Sequence, residues 1–128
     1  MQIQIDATHG LPIYLQLVQQ IKYLIATGRL TASDQLPSVR KLSEQLVVNP
    51  NTVARAYREL EMAGVLAARP GAGVFVSPTA SPLAKREQHQ LLIDKIDSVL
   101  NEARHLDLTT EGVVQLVRQR ARLIASAG

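Results

Sequence analysis

The chain has 128 residues, and its 46% hydrophobic content is enough for one small globular domain with a short appendage. Its 14 lysines and arginines against 11 aspartates and glutamates permit a polyanionic partner without requiring one. Aromatic residues make up only 3% of the chain, so we do not expect a base-stacking platform for single strands, and a nucleic-acid partner would be a duplex.

The composition also bears on compartment and chemistry. Cysteine is absent, no apolar run approaches the roughly 18 residues of a membrane-spanning helix, and the three histidines share no ligand spacing. We therefore expect a soluble, cytoplasmic protein with no membrane partner, no metal and no cofactor. Since no motif combines a nucleophile, a base and an orienting group, we do not expect an enzyme.

The N-terminal region predicts one helix preceded by an extended segment. Residues 1–6 alternate isoleucine with glutamine, which fits either a strand or an extended arm. From Pro12 onward, apolar residues recur at helical spacing and Gly28 supplies a stop, so the first helix is predicted over about 12–27.

Two further helices follow, separated by a tight connection. Ser38, directly after Pro37, is a good N-cap for a short second helix. The inward face of that helix is formed by Val39, Leu42 and Leu46. Pro50 suits the first turn of the third helix because its missing N–H would have no intrahelical partner, and Asn49 is placed to cap that turn.

The third predicted helix has two contrasting faces. Its apolar face is formed by Val53, Ala56, Tyr57 and Leu60. At about 100° per residue, the opposite side carries a polar stripe, which consists of Asn51, Arg55 and Arg58. We expect the apolar face to pack on the core and the polar stripe to face a partner.

The rest of the chain predicts a β-hairpin, a linker and a helical hairpin. Residues 65–76 carry β-formers at both ends, with Gly71 and Gly73 between them. Prolines and small polar residues mark 77–82 as a linker. Two amphipathic helices are then predicted within 83–128.

The apolar faces of these last two helices are too large for a two-helix appendage to cover alone. We therefore predict that they pair two subunits into a homodimer. The residues predicted at that interface are Leu92, Ile96, Val99, Leu100, Val113, Leu116 and Val117.

Three helices followed by a glycine-tipped hairpin are the layout of a winged helix-turn-helix. The ordered pattern GRL…LPSVRKLSEQLVVNPNTVARAYRELEMAGVL…RPGAGVFV resembles the DNA-binding domain of the GntR family of bacterial transcription regulators, over residues 11–76. The short remainder is similar to the YtrA-type subfamily, whose C-terminal hairpin serves dimerisation. The resemblance implies a mainly α fold: a winged helix-turn-helix of three helices plus a β-hairpin wing over 1–76, a linker over 77–82, and a two-helix dimerisation hairpin over 83–128.

The resemblance also implies a function. We expect a dimeric regulator that binds a palindromic double-stranded DNA operator, with the third helix in the major groove and the wing at the minor groove or backbone. Repression by occluding polymerase is the default, while the operator, the regulated genes and any small-molecule effector stay open.

Particular residues follow from the resemblance, from the polar stripe and from the predicted caps. Asn51 is expected to pair with adenine and Arg55 with guanine, while Thr52 and Arg58 are expected to anchor phosphates. The full set of predicted DNA-binding residues is Ser38, Arg40, Lys41, Asn49, Asn51, Thr52, Arg55, Arg58, Arg69, Gly71 and Gly73.

The chain departs from the family's pattern in three places. Ala32 and Ser33 stand where many relatives carry Pro-Gly, so that loop is expected to differ. Ala72 occupies a wing tip where many relatives have a basic residue, which leaves the wing's electrostatic contacts to Arg69 and backbone amides. Pro50 replaces a Ser-Arg start seen in some relatives and so removes one base reader.

Simpler interpretations stay open. Arg40 and Lys41 are also what an ordinary solvated helix face carries, and Arg55 is spaced for an i, i+4 pair with Glu59. The hairpin glycines could serve the turn alone. The alternative function is a winged-helix module for protein-protein assembly without DNA binding, which would favour an apolar outer face on the third helix.

Overall fold

The computed structural model describes residues 1–8, 10–83 and 85–127. The chain divides into two compact units, Met1–Ala84 and Lys85–Gly128. The fold is mainly helical with one antiparallel β-hairpin, so the predicted fold class is confirmed. The elements in chain order are α1 (Ile13–Ala26), α2 (Val39–Leu46), α3 (Pro50–Met62), β1 (Leu66–Arg69), β2 (Gly73–Val76), α4 (Lys85–His105) and α5 (Thr110–Ala127).

The core of the first unit lies around α3, which packs against α1, α2 and β1. Apolar residues recur along α1 and α3 with the helical period, so each helix presents one apolar stripe to the others. The largest fully buried side chains are Tyr57, Leu17, Ile21, Leu42, Leu60, Val53 and Val76. Truncating one such leucine to alanine costs about 2 to 5 kcal/mol in a well-packed core, so this cluster fixes the orientation of α3.

The starts of α2 and α3 agree with the predicted caps. The Ser38 Oγ accepts a hydrogen bond from the Lys41 N–H at 3.1 Å. The Asn49 Oδ1 accepts one from the Asn51 N–H at 2.8 Å, and Pro50 occupies the first turn of α3. Each cap satisfies a backbone donor that the helix itself cannot pair, and so fixes where the helix begins.

The β-hairpin, hereafter the wing, is attached along β2 to the connection that precedes α2. Backbone hydrogen bonds of 2.8 Å run from the Leu36 N–H to the Val74 carbonyl and from the Val76 N–H to the Asp34 carbonyl. The segment that leads into α2 is therefore hydrogen-bonded to the edge of β2. This segment fixes the position of the wing relative to α2.

Residues 1–6 form the extended arm rather than the strand. The side-chain amide of Gln20 bonds both backbone groups of Gln4, accepting at 3.0 Å and donating at 2.6 Å. The side-chain amide of Gln16 likewise accepts from the Asp6 N–H at 3.0 Å and donates to the Asp6 carbonyl at 2.9 Å. Two glutamine side chains, one helical turn apart on α1, therefore satisfy backbone groups of the arm that a neighbouring strand would otherwise pair. Ile3 and Ile5 of the arm pack against the core.

The segment predicted as a linker lies against the first unit. The Ser77 N–H donates to the Val65 carbonyl at 3.0 Å, and the Leu83 N–H donates to the Ala26 carbonyl at 2.9 Å. Ala80 also packs on the core of that unit. Proline and small polar residues here form an ordered return along the body, which composition alone does not distinguish from a flexible tether.

The second unit is a helical hairpin of α4 and α5. The Thr109 Oγ1 accepts a hydrogen bond from the Gly112 N–H at 3.1 Å and so caps α5. Among the described residues of this unit, only Ala103 and Val113 are buried. Along the whole described chain, no helix combines the length and the apolar character needed to span a bilayer.

Candidate nucleic-acid interface

The outer face of α3 carries the polar stripe that the sequence predicts. Asn51, Arg55 and Arg58 are exposed, whereas Val53 and Tyr57 on the opposite side are almost wholly buried. The predicted two-faced character of this helix is confirmed. A helix held by its core face and capped at its start presents this stripe in a fixed direction, which suits recognition of a regular surface.

Two residues of the predicted DNA-binding set are helix caps. The side-chain oxygens of Ser38 and Asn49 are each engaged by a backbone N–H of their own helix. Their structural contribution is to start α2 and α3 at fixed positions. Thr52, in the first turn of α3, is half-buried, with its side chain beside the exposed stripe rather than at its centre.

Arg40 and Lys41 extend from α2 into solvent. The Arg40 Nε lies 3.2 Å from the Glu44 Oε1, and the two side chains are 89% and 66% exposed. Such an exposed pair contributes little to stability, about 0 to 1 kcal/mol, so Arg40 can exchange this carboxylate for another anion at small cost.

Arg55 contacts two other side chains. Its guanidinium carbon lies 3.7 Å from the centroid of the Tyr14 ring, which belongs to the first turn of α1. Its Nε lies 4.0 Å from the Glu59 Oε1, so the predicted i, i+4 pair exists but is long. Sequence reasoning assigned Tyr14 only to the apolar face of α1, and no local pattern links it to a residue so far along the chain.

The wing repeats the combination of arginine and aromatic ring. The guanidinium carbon of Arg69 on β1 lies 4.4 Å from the centroid of the Phe75 ring on β2. At the tip, Gly71 and Gly73 have φ of 76° and 126°, a region that other residues rarely adopt. The Gln35 Nε2, which belongs to the connection before α2, donates to the Ala72 carbonyl at the tip at 3.0 Å.

The connection over residues 34–38 links the three elements that carry the predicted DNA-binding residues. Its Gln35 bonds the wing tip, and its Ser38 caps α2. Its Pro37 carbonyl accepts a 2.7 Å hydrogen bond from the Tyr57 hydroxyl of α3. Burial raises the pKa of Tyr57, so this hydroxyl stays a protonated donor. Sequence reasoning missed Gln35 because its partner Ala72 is distant in the chain, and it missed Phe75 because its contact with Arg69 depends on the strand register of the wing.

The charged residues predicted to bind DNA are all positive, and few of them form ion pairs. Within the described ranges, Lys41, Arg58 and Arg69 have no carboxylate within ion-pair distance. Arg40 and Arg55 each have only the glutamate four residues later. The described residues also hold no cluster of metal-ligating side chains. The exposed arginines and the lysine offer hydrogen-bond donors and positive charge to an anionic partner.

The comparison with known proteins agrees with this geometry. The model of bacterial regulatory proteins of the gntR family matches residues 13–76, which contain α1 to α3 and the wing. This chain belongs to the GntR family. The resemblance seen in the sequence motif is confirmed, and the second unit lies outside the matched residues.

Relatives of this GntR protein match over three quarters of its length or more. The HTH-type transcriptional repressor YtrA of Bacillus subtilis is 32% identical over 117 residues, covering 91% of this chain and 90% of the relative. The solved structure of YtrA from Sulfolobus acidocaldarius, a GntR-family transcription factor, is 33% identical with a TM-score of 0.54, covering 75% of this chain and 97% of that one. The chain is thus a GntR member of the YtrA type.

Several of the similar solved structures contain an operator, and one of them serves as the example. It is AraR(DBD) in complex with operator ORE1, with a TM-score of 0.51 and 27% identity, covering 60% of this chain and 94% of that chain. The similarity therefore extends to a protein whose structure was determined on an operator.

Proposed function

We propose that this chain is a transcriptional repressor that binds a palindromic double-stranded DNA operator as a homodimer. The observation that carries the proposal is the exposed stripe of Asn51, Arg55 and Arg58 on a capped, core-anchored α3, within a GntR winged helix-turn-helix. The major groove of B-DNA admits an α-helix, and α3 is the helix that this fold presents to it.

Base reading is assigned to two side chains of α3. Asn51 has an amide that can pair bidentately with adenine, and Arg55 has the fork of donors that matches guanine O6 and N7. Each such pair is worth about 1 to 3 kcal/mol of discrimination against the wrong base. In the free protein the Arg55 Nε lies 4.0 Å from the Glu59 Oε1, so a guanine would replace a weak contact.

Phosphate contacts are assigned to the residues around this helix. Arg40 and Lys41 of α2, together with Thr52 and Arg58 of α3, are the proposed backbone anchors. The exposed pair of Arg40 with Glu44 is weak enough to open on DNA. Ser38 and Asn49 act by placing the helix starts, whose backbone N–H groups favour anions.

The wing is assigned to the minor groove or the adjacent backbone. Arg69 supplies its charge, and the absence of side chains at Gly71 and Gly73 lets the main chain approach the duplex closely. Since Ala72 provides no charge at the tip, we expect this contact to be weaker than that of α3.

The homodimer is assigned to the second unit. Leu92, Ile96, Val99, Leu116 and Val117 are exposed, whereas Val113 is buried between α4 and α5 and Leu100 is half-buried. The last two therefore support the hairpin itself, and the five exposed residues are the proposed intersubunit contacts. A soluble protein rarely leaves so continuous an apolar surface uncovered, and a second copy supplies the complementary face.

Two-fold symmetry then sets the operator. A symmetric dimer offers two recognition helices to two half-sites, so the preferred sequence is palindromic. Occupancy of a promoter by the dimer excludes polymerase, and the protein acts in the cytoplasm, where the chromosome lies. A winged-helix assembly module is the other candidate, and the charged outer face of α3 disfavours it.

The proposal is tested by selecting bound fragments from a library of random duplexes and measuring affinity for the selected sequence. We expect a two-fold symmetric consensus. Arg55→Ala should lose preference at one position in each half-site, whereas Arg58→Ala should weaken all duplexes and lower the salt slope by about one unit per subunit. Lys22→Ala, an exposed charge on α1 outside the proposed interface, is the matched control. Failure to enrich any sequence would reject the proposed function.

A further inference from the structure

The few aromatic side chains of this chain are placed unevenly. It has three tyrosines, one phenylalanine and no tryptophan. Tyr57 is buried in the core, but Tyr14 and Phe75 each lie beneath an arginine of the proposed DNA-binding face. The guanidinium carbons lie 3.7 Å and 4.4 Å from the centroids of these two rings.

The contact between Tyr14 and Arg55 joins two helices. Tyr14 is half-buried in the first turn of α1, where it packs against the core. A ring anchored in this way cannot follow the arginine if the arginine moves. Arg55 extends from α3 over the ring and keeps 56% of its side chain exposed. The core thus provides a support beneath a side chain that is otherwise held only by the long pair with Glu59.

A ring and a carboxylate hold a guanidinium in different ways. An aromatic face attracts the cation through its quadrupole but accepts no hydrogen bond in the guanidinium plane, so the N–H donors stay available. A carboxylate takes those same donors. Glu59 is close enough to compete, but its Oε1 lies 4.0 Å from the Arg55 Nε, which is beyond hydrogen-bond distance.

We propose that Tyr14 is a positioning residue for base recognition, which orients Arg55 and keeps its donors free for a guanine. This inference rests on the proposed DNA-binding function and extends it to a residue outside the recognition helix. Arginine has many rotamers, and binding is weakened when these must be ordered on the duplex. The Tyr14 ring orders the side chain beforehand and disfavours its collapse onto Glu59.

The test compares three variants on the selected operator and on the same duplex with the Arg55-dependent base pair changed. Tyr14→Leu keeps an apolar group on the core but removes the ring. Tyr14→Phe keeps the ring and should bind as the unaltered protein does. Tyr23→Leu is the matched control, since it makes the same substitution on the same helix, roughly 13 Å further along the axis and on its other side.

We expect Tyr14→Leu to weaken binding to the selected operator by about threefold to tenfold, with little change on the altered duplex. In an Arg55→Ala background, Tyr14→Leu should cause no further loss. The inference is overturned if Tyr14→Leu binds like the unaltered protein, if Tyr14→Phe fails to restore binding, or if all duplexes weaken equally. If the unaltered protein itself shows no sequence preference, the proposed function fails as well, which is a distinguishable result.

A second measurement uses the unaltered protein alone, so it depends neither on the folding of a variant nor on DNA. In the unaltered protein, the side-chain protons of Arg55 should be shifted upfield by the Tyr14 ring current and should show nuclear Overhauser contacts to its ring protons. Arg55 shifts at ordinary solvent-exposed values, without such contacts, would overturn the inference whatever the binding data show.

Discussion

The Tyr57 hydroxyl on α3 donates a 2.7 Å hydrogen bond to the Pro37 carbonyl, directly before the cap of α2. Tyr57 is 2% exposed, so its ring belongs to the core while its hydroxyl reaches the connection over residues 34–38. The same connection is bonded to the wing tip through Gln35. One buried hydroxyl thus connects α3 to the segment that is bonded to the wing tip and caps α2.

Replacing Tyr57 by phenylalanine should lower the free energy of unfolding by about 1 kcal/mol, the typical net value of one such hydrogen bond. Urea denaturation followed by circular dichroism measures the change. Tyr14→Phe is the control, because the Tyr14 hydroxyl has no hydrogen-bond partner among the described residues. Equal midpoints for Tyr57→Phe and the unaltered protein would show that the bond to Pro37 contributes nothing.

Val47, which ends α2, has a left-handed backbone and an exposed side chain. Its φ is 55°, and the side chain is 89% exposed, so no packing offsets the conformational strain. A left-handed residue with a Cβ costs roughly 1 to 2 kcal/mol, although glycine adds freedom to the unfolded chain. Val47→Gly should therefore raise stability by about 0.5 to 1 kcal/mol.

Thermal denaturation tests this expectation, with Val48→Gly as the adjacent control. Val48 is half-buried and packs on the core, so its replacement should lower the melting temperature. A lower melting temperature for Val47→Gly as well would mean that its left-handed backbone is not a source of strain.

The two glycines of the wing tip should differ in their tolerance of a side chain. A Cβ at Gly73 would lie 2.8 Å from the Gln35 Nε2, whereas none of the surrounding atoms comes within 4 Å at Gly71. Gly73→Ala should cost about 1 to 3 kcal/mol and disturb the bond from Gln35 to the tip, while Gly71→Ala should cost about 1 kcal/mol.

Unfolding free energies of the two alanine variants measure the difference, and amide exchange of the wing locates it. The prediction requires faster exchange in β2 for Gly73→Ala than for Gly71→Ala. Equal costs and equal exchange would remove the role given to Gln35 at the tip.

A carboxylate in the exposed apolar face of α5 should separate the proposed dimer. Val117 is 60% exposed in the single chain, so Val117→Glu is tolerated there but places an unpaired charge in the intersubunit contact. We expect the dimer dissociation constant to rise at least tenfold, and operator affinity to fall with it because two linked half-site contacts become separate.

Sedimentation at several protein concentrations measures the dissociation constant. Gln119→Glu introduces the same charge nearby on α5 and should leave the dimer intact. If Val117→Glu sediments as the unaltered protein does, the subunits meet through another surface.

Local patterns were enough to predict much of this molecule. The start of α3 could be predicted because Asn49 and Pro50 act on their own first turn, and its two faces because the helical period is fixed. The cap at Ser38 could be predicted for the same reason, as could the turn at Gly71 and Gly73. Each of these features depends on residues within four positions of one another.

Contacts between distant segments could not be predicted in this way. Tyr14 fits an apolar helix face equally well with or without an arginine above it, so the stack with Arg55 leaves no local trace. The contacts of Gln16 and Gln20 with the N-terminal arm likewise join residues at least ten positions apart, so no local pattern predicts them. The ordered path of residues 77–82 depends on contacts with the first unit, such as the hydrogen bond from Ser77 to Val65. The composition of this segment alone indicates only a linker.

Methylation interference on the selected operator tests most directly whether α3 reads the major groove. Dimethyl sulfate methylates guanine N7 in the major groove and adenine N3 in the minor groove, so each groove is reported separately. We predict that N7 methylation of one guanine in each half-site blocks the unaltered protein and that Arg55→Ala is insensitive to it. Interference from minor-groove positions alone, or an unchanged pattern with Arg55→Ala, would contradict the assignment of α3 as the recognition helix.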